Sequence, residues 1–516
     1  MNKVYADGEA LTIADIVAVA RCDAKVEIPK EVGERVDKCR RFLDRFVKEK
    51  RVAYGVTTGF GALGNVTIPP NRMRELQSNL IRSHSTGVGR PADRDIVRAM
   101  MLLRVNALAK GYSGTRLETL ETLVLMLNKG VHPIIPEKGS VGASGDLAPL
   151  SHMALVMMGE GEAEHEGKRM TGKEAMREAG IQPVELDVKE GVALSNGTQF
   201  MTGIAALMVY DAERLVKSAE VATALSLEAL KGIFDAFDER IQRVRPHLGQ
   251  ITSARNIRLL TAGSALITSG EEATKRGLYP QDPYCLRCAP QVLGTVRDSV
   301  SYVRKIVETE INAATDNPLV FTEDEMCLSG GNFHGQPVAL PMDILGIALT
   351  TVGNIAERRI ARLIDENLSR GLPAFLIHEK AKKGVQSGFM AVQYTAAALA
   401  SENKVLAHPA SVDSIPTSAN FEDFVSMGPI AARKAQKILH NVEYIVAIEL
   451  LCTAQAVDFR GSEKLGKGTR EAYLMIRKRV PHQKKDMPMY GELETLRGLI
   501  RRGDIAQGLG KTIGAL

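Results

Sequence analysis

The sequence predicts an all-α protein, a large bundle of long antiparallel helices with a mixed N-terminal region that carries the candidate active-site loops. Apolar residues recur at three- and four-residue spacing over long stretches of the chain. Strand patterns are few, and no repeat of roughly 20 to 50 residues is visible. We expect two regions: an N-terminal region over residues 1–200, and a central long-helix bundle with C-terminal helices over residues 201–516.

Helix signals dominate from Arg74 onward. Asn128-Lys129-Gly130 and Asn317-Pro318 are stop signals, because glycine favours the end of a helix and proline disfavours helix in the residue before it. Residues 159–187 are charged and glycine-rich, and they predict a small surface hairpin in which His165 is solvated. The predicted helical segments are 36–47, 95–109, 116–127, 201–234, 296–317, 343–368, 388–407 and 423–459.

The composition is that of a globular protein with a large core. The 516 residues are 25% charged and 45% hydrophobic, with a net charge of +5. This mild charge gives no support for nucleic-acid or membrane-surface binding. No uncharged apolar run approaches the ~20 residues that span a bilayer. Residues 1–10 lack the apolar core of a signal peptide, so we expect a cytoplasmic protein.

The six cysteines are too sparse and scattered for a disulfide framework. Cys285-Leu286-Arg287-Cys288 is formally a CxxC motif. A structural zinc site would require a second pair of ligands at regular spacing, and the sequence offers none. We therefore predict reduced, structural cysteines and no metal site.

The most informative stretch is a fourteen-residue run of mostly small side chains, Gly139-Ser140-Val141-Gly142-Ala143-Ser144-Gly145-Asp146-Leu147-Ala148-Pro149-Leu150-Ser151-His152. Such a loop lets backbone groups approach closely. The amide nitrogen of Gly145 can attack the carbonyl carbon of Ala143, and loss of water closes a five-membered ring. Loss of the Ser144 hydroxyl then leaves an exocyclic methylidene. No ordinary side chain supplies such an electrophile, and the alternative source is a bound cofactor. The tripeptide alone would predict only a flexible loop.

This run resembles the signature of the aromatic amino acid ammonia-lyase and aminomutase family, and the resemblance extends from about Tyr54 to about Arg460. It implies a 4-methylideneimidazol-5-one group (MIO) formed from Ala143-Ser144-Gly145, with no external cofactor. It also implies a helical homotetramer whose active sites combine residues from more than one chain. The implied partner is a small amino acid substrate.

Tyr54 is the predicted base. It begins the glycine-rich loop Tyr54-Gly55-Val56-Thr57-Thr58-Gly59-Phe60-Gly61, which is suited to a lid or to a delivered catalytic group. The resembling family places its base tyrosine in this motif. A tyrosine has an ordinary pKa near ~10, so its phenolate must be stabilised by its surroundings. Helix N-termini supply positive potential, and the resemblance implies that several point at the prosthetic group.

A polar and cationic cluster follows at Gln281-Asp282-Pro283-Tyr284-Cys285-Leu286-Arg287. The planar fork of Arg287 suits a bidentate contact with a carboxylate. The resemblance places Arg287 on the substrate carboxylate, and it places Gln281 and Tyr284 beside the prosthetic group, with Tyr284 in the catalytic set.

Two further motifs complete the predicted site. Asn196 matches an asparagine that assists both the carboxylate and the prosthetic group, although Ser195 stands where an apolar residue is expected. Phe333, in Gly330-Gly331-Asn332-Phe333-His334-Gly335, matches the aromatic residue that packs over the site. The neighbouring His334 is predicted to be a structural hydrogen-bonding residue.

His84 and Glu422 decide the substrate prediction. They match a histidine and a glutamate of the histidine lyases, and each can exchange a hydrogen bond with one nitrogen of an imidazole. Phenylalanine lyases usually have an apolar residue and a glutamine instead. We therefore predict conversion of L-histidine to trans-urocanate and ammonia. Phe421 and Phe424 stand where glutamine and histidine are expected, and His84 could instead bind a phenol hydroxyl. Tyrosine ammonia-lyase or tyrosine 2,3-aminomutase activity is therefore the alternative.

A protein of a different class, a helical scaffold without catalysis, would have lost at least one of Ser144, Tyr54 and Arg287. All three residues are present, which favours an enzyme, a carbon–nitrogen lyase. The same atoms would serve release of ammonia and its return to the β-carbon, so the sequence leaves the lyase and aminomutase outcomes open.

Overall fold

The computed structural model describes residues 3–378, 384–514 and 516. The helices are α1 (Ile13–Cys22), α2 (Lys30–Lys48), α3 (Met73–His84), α4 (Arg94–Ala109), α5 (Leu117–Lys129), α6 (Leu147–Met157), α7 (Gly172–Glu178), α8 (Glu190–Ser195), α9 (Gln199–Ala229), α10 (Glu239–Arg243), α11 (Leu248–Leu260), α12 (Gly270–Lys275), α13 (Tyr284–Arg287), α14 (Ala289–Glu310), α15 (Gln336–Ile364), α16 (Met390–Leu406), α17 (Gly428–Arg460), α18 (Lys467–Arg477), α19 (Tyr490–Arg502) and α20 (Asp504–Ile513). The strands are β1 (Lys3–Tyr5), β2 (Lys25–Glu27), β3 (Val88–Pro91), β4 (His132–Pro133), β5 (Pro136–Lys138), β6 (Glu162–His165), β7 (Lys168–Thr171), β8 (Leu319–Phe321) and β9 (Met326–Leu328).

Helices dominate the structure, which confirms the all-α class. The longest are α17 with 33 residues, α9 with 31, α15 with 29 and α14 with 22. Each corresponds to a predicted segment. Their ends are less accurate: α14 begins at Ala289 rather than Val296 and ends at Glu310 rather than Asn317. Apolar periodicity marks the buried face of a helix but not its last turn.

The chain divides into two compact units, each assembled from three stretches. Unit 1 comprises Met1–Met208, Val303–Asp343 and Pro409–Arg433, and unit 2 comprises Val209–Tyr302, Ile344–His408 and Lys434–Leu516. The predicted division into residues 1–200 and residues 201–516 stays a prediction.

Unit 1 combines helices with small sheets. β1 and β2 pair in parallel, whereas β3–β5, β4–β6–β7 and β8–β9 are antiparallel. The β6–β7 hairpin is the predicted surface hairpin. The prediction of a solvated His165 is wrong: it is 8% exposed, and its Nδ1 lies 3.3 Å from the carbonyl oxygen of Gly130. The residues of β6 alternate between exposed and buried positions, and His165 falls on the buried side.

The core of unit 1 surrounds α4, which packs against α1, α2 and α5. Every residue of α4 from Ile96 to Ala109 is buried, including Arg98, Arg104 and Asn106. α3, α6 and α8 pack against one another in a second group. That group presents the ends of α3 and α8 and the start of α6 to the candidate site.

Unit 2 is stabilised by an ion pair between Arg359 of α15 and Glu449 of α17, both 0% exposed. The Arg359 Nε and Nη2 atoms donate to the two Glu449 oxygens at 2.5 and 2.8 Å. Ser226 of α9 donates to Glu449 Oε1 at 2.6 Å, and Arg359 Nη1 donates to the carbonyl of Cys285 at 3.2 Å. The pair therefore connects three long helices with the turn that contains Tyr284 and Arg287.

One helix within the described residues, α15, is long and apolar enough to cross a membrane, with a mean hydropathy of 1.6 over its most apolar window. In this structure 72% of that window is buried. Burial of this extent is typical of the core helix of a folded protein.

Replacing Arg359 by Met should strongly destabilise the protein, because Glu449 would remain buried without its bidentate partner. We expect the free energy of unfolding to fall by about 3 to 5 kcal/mol, measured by urea unfolding. Arg243→Met is the control, since Arg243 and its partner Glu239 are 69% and 56% exposed and the loss of this surface pair should cost at most about 1 kcal/mol. Equal losses in the two variants would contradict the assignment.

Candidate active site

The small-residue loop joins β5 to α6, and its glycines are required by the backbone. Gly139, Gly142 and Gly145 have φ values of 135°, 74° and 70°. A Cβ on Gly145 would overlap the carbonyl of Gly197, and one on Gly142 would overlap the hydroxyl of Ser426. Side chains at these positions would therefore prevent the close approach of the segments around the tripeptide.

Hydrogen bonds hold both sides of the Ala143-Ser144-Gly145 tripeptide. The Gly197 N–H donates to the Ser144 carbonyl at 3.2 Å, and the Asp146 N–H donates to the Gly197 carbonyl at 2.6 Å. The Ser144 hydroxyl donates to Asn196 Oδ1 at 2.9 Å. The peptide groups that flank Gly145 are thus fixed, and the Ser144 hydroxyl has a defined acceptor.

Three helices begin at or beside this loop, and their first residues are Leu147 (α6), Gln199 (α9) and Gly428 (α17). A fourth, α15, begins at Gln336, directly after Gly335, which lies against Ser426. The Met427 N–H, just before α17, donates to the carbonyl of Val141 at 2.9 Å. Asp146 Oδ2 accepts from the N–H groups of Phe200 and Met201 in the first turn of α9, at 2.8 and 3.0 Å. Each N-terminus carries about half a positive charge, so the loop lies in a region of positive potential.

Asp146 is itself fully buried directly after the tripeptide. Burial raises the pKa of its carboxyl to about 7, although the amides of Met201 and Phe200 and the charge of Arg104 oppose the rise. Its Oδ1 has no hydrogen-bond partner in the described part of the chain. The first turn of α9 is therefore capped by a carboxyl that is partly protonated near neutral pH.

A cavity of about 480 Å³ opens over the tripeptide. Its lining contains seven of the predicted site residues: Tyr54, His84, Ala143, Ser144, Asn196, Phe333 and Glu422. Gly145 instead lines a smaller cavity of about 200 Å³ that shares His84, Ala143, Leu147 and Glu422 with the first. The larger cavity is also lined by Phe60, Gly61, Leu80, Leu147, Val192, Ser195, Asn317, Ser329, Gly330, His334, Ser418, Phe421, Asp423 and Phe424, which the predicted set does not contain.

Tyr54 is held at the edge of the cavity by its own loop. The Gly61 N–H donates to the phenol oxygen at 2.7 Å, and the Phe60 ring packs edge-on at 6.5 Å. Burial raises the pKa of Tyr54, Glu422 adds to the rise, and the Gly61 N–H opposes it. The environment within this chain therefore disfavours the phenolate, contrary to what the sequence led us to expect, because one amide donor does not outweigh burial.

Glu422 and His84 are both oriented by local hydrogen bonds. Glu422 Oε2 accepts from the Thr417 hydroxyl at 2.9 Å, across a turn in which Ser418, Ala419 and Asn420 all have positive φ. His84 is the last residue of α3, and its Nδ1 lies 2.9 Å from the Leu80 carbonyl. A carbonyl can only accept, so Nδ1 carries a proton and Nε2 is the ring nitrogen available to a ligand.

His334 is a structural hydrogen-bonding residue, as the sequence predicts, in the part of the cavity lining formed with Phe424, which we call the aromatic wall. Its Nδ1 accepts from the Gln336 N–H at 3.2 Å, and its Nε2 lies 3.2 Å from the Phe424 carbonyl. The His334 and Phe424 rings stack at 6.1 Å with an interplanar angle of 17°. Both ring nitrogens therefore serve the structure of the wall.

Asn317 is a site residue that the sequence analysis missed. Its carbonyl accepts from the Asn196 side-chain amide at 3.0 Å, and its own Oδ1 accepts from the Gly330 N–H at 2.8 Å. It therefore orients Asn196 and joins it to the segment that leads to Phe333. The only signal was Asn317-Pro318, which predicts the end of a helix and carries no information about a contact more than a hundred residues away.

Gln281, Tyr284 and Arg287 belong to unit 2, and none of them lines the cavity of unit 1. Tyr284 is 69% exposed, and the Arg287 guanidinium lies over its ring at 4.4 Å. Arg287 Nε donates to the Asp282 carbonyl at 2.7 Å, and the Asp282 carboxylate accepts from Arg370 at 2.9 Å. These bonds fix the geometry of α13 and of the residues just before it. The role of this segment toward a substrate stays a prediction.

Comparisons with known proteins agree over nearly the whole chain. The sequence profile described as aromatic amino acid lyase matches residues 11–478. A histidine ammonia-lyase of Alkaliphilus oremlandii is 55% identical over 513 residues, which cover 99% of this chain and 99% of its own length. A histidine ammonia-lyase of Caldanaerobacter subterraneus is 54% identical and covers 98% of each chain.

Solved structures show the same fold. A tyrosine aminomutase from Streptomyces globisporus superposes with a TM-score of 0.93 at 39% identity and covers 100% of this chain and 99% of its own. A histidine ammonia-lyase from Trypanosoma cruzi superposes with a TM-score of 0.90 at 42% identity and covers 99% of this chain and 95% of its own. The helical fold and these matches define a carbon–nitrogen lyase. The chain belongs to the aromatic amino acid lyase family.

Proposed function

We propose that the protein acts as a histidine ammonia-lyase, which converts L-histidine to trans-urocanate and ammonia with an MIO group formed from Ala143-Ser144-Gly145. The observation that carries the substrate assignment is the placement of His84 and Glu422 in the lining of the cavity that also contains Ser144. Relatives named histidine ammonia-lyases, 50–55% identical to this chain, support it.

The residues around the tripeptide fit an MIO group. Gly145 has no side chain to obstruct ring closure, and its amide has no acceptor within the described residues, whereas both neighbouring peptide groups are held by Gly197. Asn196 and the Gly197 N–H would hold the group in place. When formed, MIO supplies an electrophilic carbon that captures an amine. The converging helix N-termini would stabilise negative charge that develops there.

The proton to be removed lies on the β-carbon of the substrate, and we assign its removal to Tyr54. The phenol lines the cavity together with Ser144. The Gly61 N–H that donates to its oxygen stabilises the ionised form. Because burial raises the pKa of Tyr54, the ionised fraction is small at neutral pH and grows as the pH rises.

The substrate carboxylate requires a cation, and we assign this role to Arg287 with Gln281 and Tyr284 nearby. None of the three lines the cavity of unit 1, so we propose that they come from a neighbouring chain of the homotetramer that the family resemblance implies. Their ordered and partly exposed turn supports the assignment, since a bidentate clamp must be preorganised but accessible.

Tyrosine is the second candidate substrate, with ammonia either released or returned to the β-carbon. Phe421 and Phe424, each 63% exposed, line the cavity and make it more apolar than an imidazole requires. A tyrosine aminomutase is also among the solved structures with this fold. Products formed from histidine and tyrosine by the purified protein distinguish the two assignments.

Ser144→Ala should fold and lose nearly all activity, because no hydroxyl remains to be eliminated. In wild type, peptide mass spectrometry should find the tripeptide lighter by two waters. Ser151→Ala is the matched control: it removes a buried hydroxyl of α6 that has no hydrogen-bond partner among the described residues, and it should leave both the mass loss and the activity unchanged. An active wild-type protein of unmodified mass would contradict the proposal.

Tyr54→Phe should keep the mass loss but lower kcat by at least ~100-fold, the scale of general-base catalysis. The raised pKa of Tyr54 predicts that wild-type kcat/KM increases with pH through the alkaline range, and the variant should lack this increase. The measurement is a pH–rate profile of both proteins. A near-wild-type rate in the variant would leave Tyr284 as the next candidate base.

Wild type should prefer histidine to phenylalanine by at least ~1,000-fold in kcat/KM, because phenylalanine would leave the polar groups of the cavity unpaired. Glu422→Gln should weaken the use of histidine more than that of tyrosine. Glu121→Gln is the control, since it makes the same change at an exposed residue of α5 that does not line the cavity. The substrate assignment is wrong if wild type turns over tyrosine readily and histidine not at all.

A further inference from the structure

Arg104 is a fully buried cation whose described partners are all uncharged. The side chain lies in the middle of α4 and is 0% exposed. Burial lowers the pKa of its guanidinium to about 10, so it is charged at neutral pH. In contrast, the equally buried Lys189 pairs with Asp316 at 2.6 Å. Asp316 and Asp146 lie near enough for their charges to oppose the fall in the pKa of Arg104, but neither of them accepts a hydrogen bond from it. A buried charge that is bonded only to neutral groups costs stability, which suggests that this one has a function.

The donors of Arg104 converge on the segment that leads into α9. Nη1 donates to the Ala193 carbonyl at 2.7 Å, and Nη2 donates to the Asn196 carbonyl and to Gln199 Oε1. The Gln199 side-chain amide donates to the Thr315 hydroxyl at 2.6 Å, which fixes its oxygen toward Arg104. The guanidinium is thus aimed at one end of the Asn196–Gly197 peptide.

The other end of that peptide reaches the reactive tripeptide. The Gly197 N–H donates to the Ser144 carbonyl at 3.2 Å, while the Asn196 carbonyl accepts from Arg104. A positive charge at the oxygen of an amide draws electron density from its nitrogen and makes the N–H a stronger donor. Hydrogen bonds in such a chain strengthen one another, and the low dielectric of the interior preserves the effect.

We propose that Arg104 is a positioning residue that acts through the Asn196–Gly197 peptide to stabilise negative charge on the Ser144 carbonyl and so promotes the dehydration of Ser144. In this step the proton leaves the Ser144 Cα, the Cβ–O bond breaks and a Cα–Cβ double bond forms. The proton and the hydroxyl group leave together as water. As the proton leaves, charge develops on the Ser144 oxygen, where the Gly197 N–H is already in place. The inference rests on the proposed function, because it presupposes that the tripeptide is dehydrated.

The decisive variant is Gln199→Glu, which gives Arg104 a counter-ion without removing a heavy atom from the site. The substitution should not harm folding, since a carboxylate at the start of α9 is favourable and the Thr315 hydroxyl can reverse its hydrogen bond. We expect an unchanged or higher midpoint of thermal unfolding. The fraction of tripeptide that has lost two waters, measured by mass spectrometry at fixed times after synthesis, should fall, and kcat should fall by roughly 10-fold with little change in KM.

A merely structural role for Arg104 makes the opposite prediction. Pairing a buried cation would then leave dehydration complete and kcat unchanged. Two variants test the charge directly. Arg104→Gln removes it and should slow dehydration more than Gln199→Glu does. Arg104→Lys keeps it and should dehydrate faster than Arg104→Gln but more slowly than wild type. Arg98→Gln is the matched control on the same helix. Arg98 is 2% exposed, donates to the carbonyls of Val19 and Leu127 and pairs with Asp23 at 3.3 Å. It makes no described contact with the Asn196–Gly197 peptide, so its loss should lower stability without slowing dehydration.

Complete dehydration and wild-type kcat in folded Gln199→Glu would overturn the proposal, even if Arg104→Gln failed to fold. Failure of the proposed function is a separate result, because wild type itself would then retain both waters in the tripeptide. A normal wild-type mass loss combined with unaffected variants would reject the role of Arg104 alone.

Discussion

Gly145 and Gly197 form one short parallel bridge, and the chemistry proposed for the cavity depends on this contact. The bridge brings the Gly197 N–H to the Ser144 carbonyl and the Asp146 N–H to the Gly197 carbonyl. Neither residue has room for a Cβ: on Gly145 it would overlap the Gly197 carbonyl, and on Gly197 it would overlap the Arg104 guanidinium and the Thr315 carbonyl. Asn196, which accepts from the Ser144 hydroxyl, directly precedes Gly197, and Asp146, which caps α9, directly follows Gly145. The same contact therefore positions both side chains.

Electrostatics in unit 1 follow from how the surrounding charges are paired. Lys189 is neutralised by Asp316, whereas Asp146 is partly protonated because burial raises its pKa to about 7. The helix N-termini and Arg104 therefore leave an excess of positive potential around the tripeptide. This potential suits an electrophile that must accept electron density. Burial and Glu422 raise the pKa of Tyr54 in the lining of the same cavity, so unit 1 contains both buried positive charge near the tripeptide and a phenol that resists ionisation.

Most of the helices could be predicted from sequence, because long amphipathic and buried helices leave a clear periodicity, as in the segment that became α17. The loop glycines at 142 and 145 were also informative, since the chemistry demanded close backbone approach. Other features depend on contacts between distant segments. Asn317 and Arg104 act through partners that no local pattern identifies. His165 was misjudged because a charged hairpin sequence does not reveal which face packs inward. The raised pKa of Tyr54 could not be predicted either, because it depends in part on Glu422, which is distant in the sequence.

The contacts of Ser426 and Met427 with the loop have a consequence for biosynthesis. The Ser426 hydroxyl donates to the Gly142 carbonyl at 3.2 Å across 284 residues of chain. A nascent polypeptide that has left the ribosome only as far as α15 cannot make this contact, and closing so long a loop is a late event in folding. The Gly142 side of the loop would therefore be fixed only after most of the chain has been synthesised, later than the Gly145–Gly197 contact can form. Formation of the proposed MIO group would wait for this second contact, so an unfinished chain would carry ordinary peptide bonds rather than an electrophile.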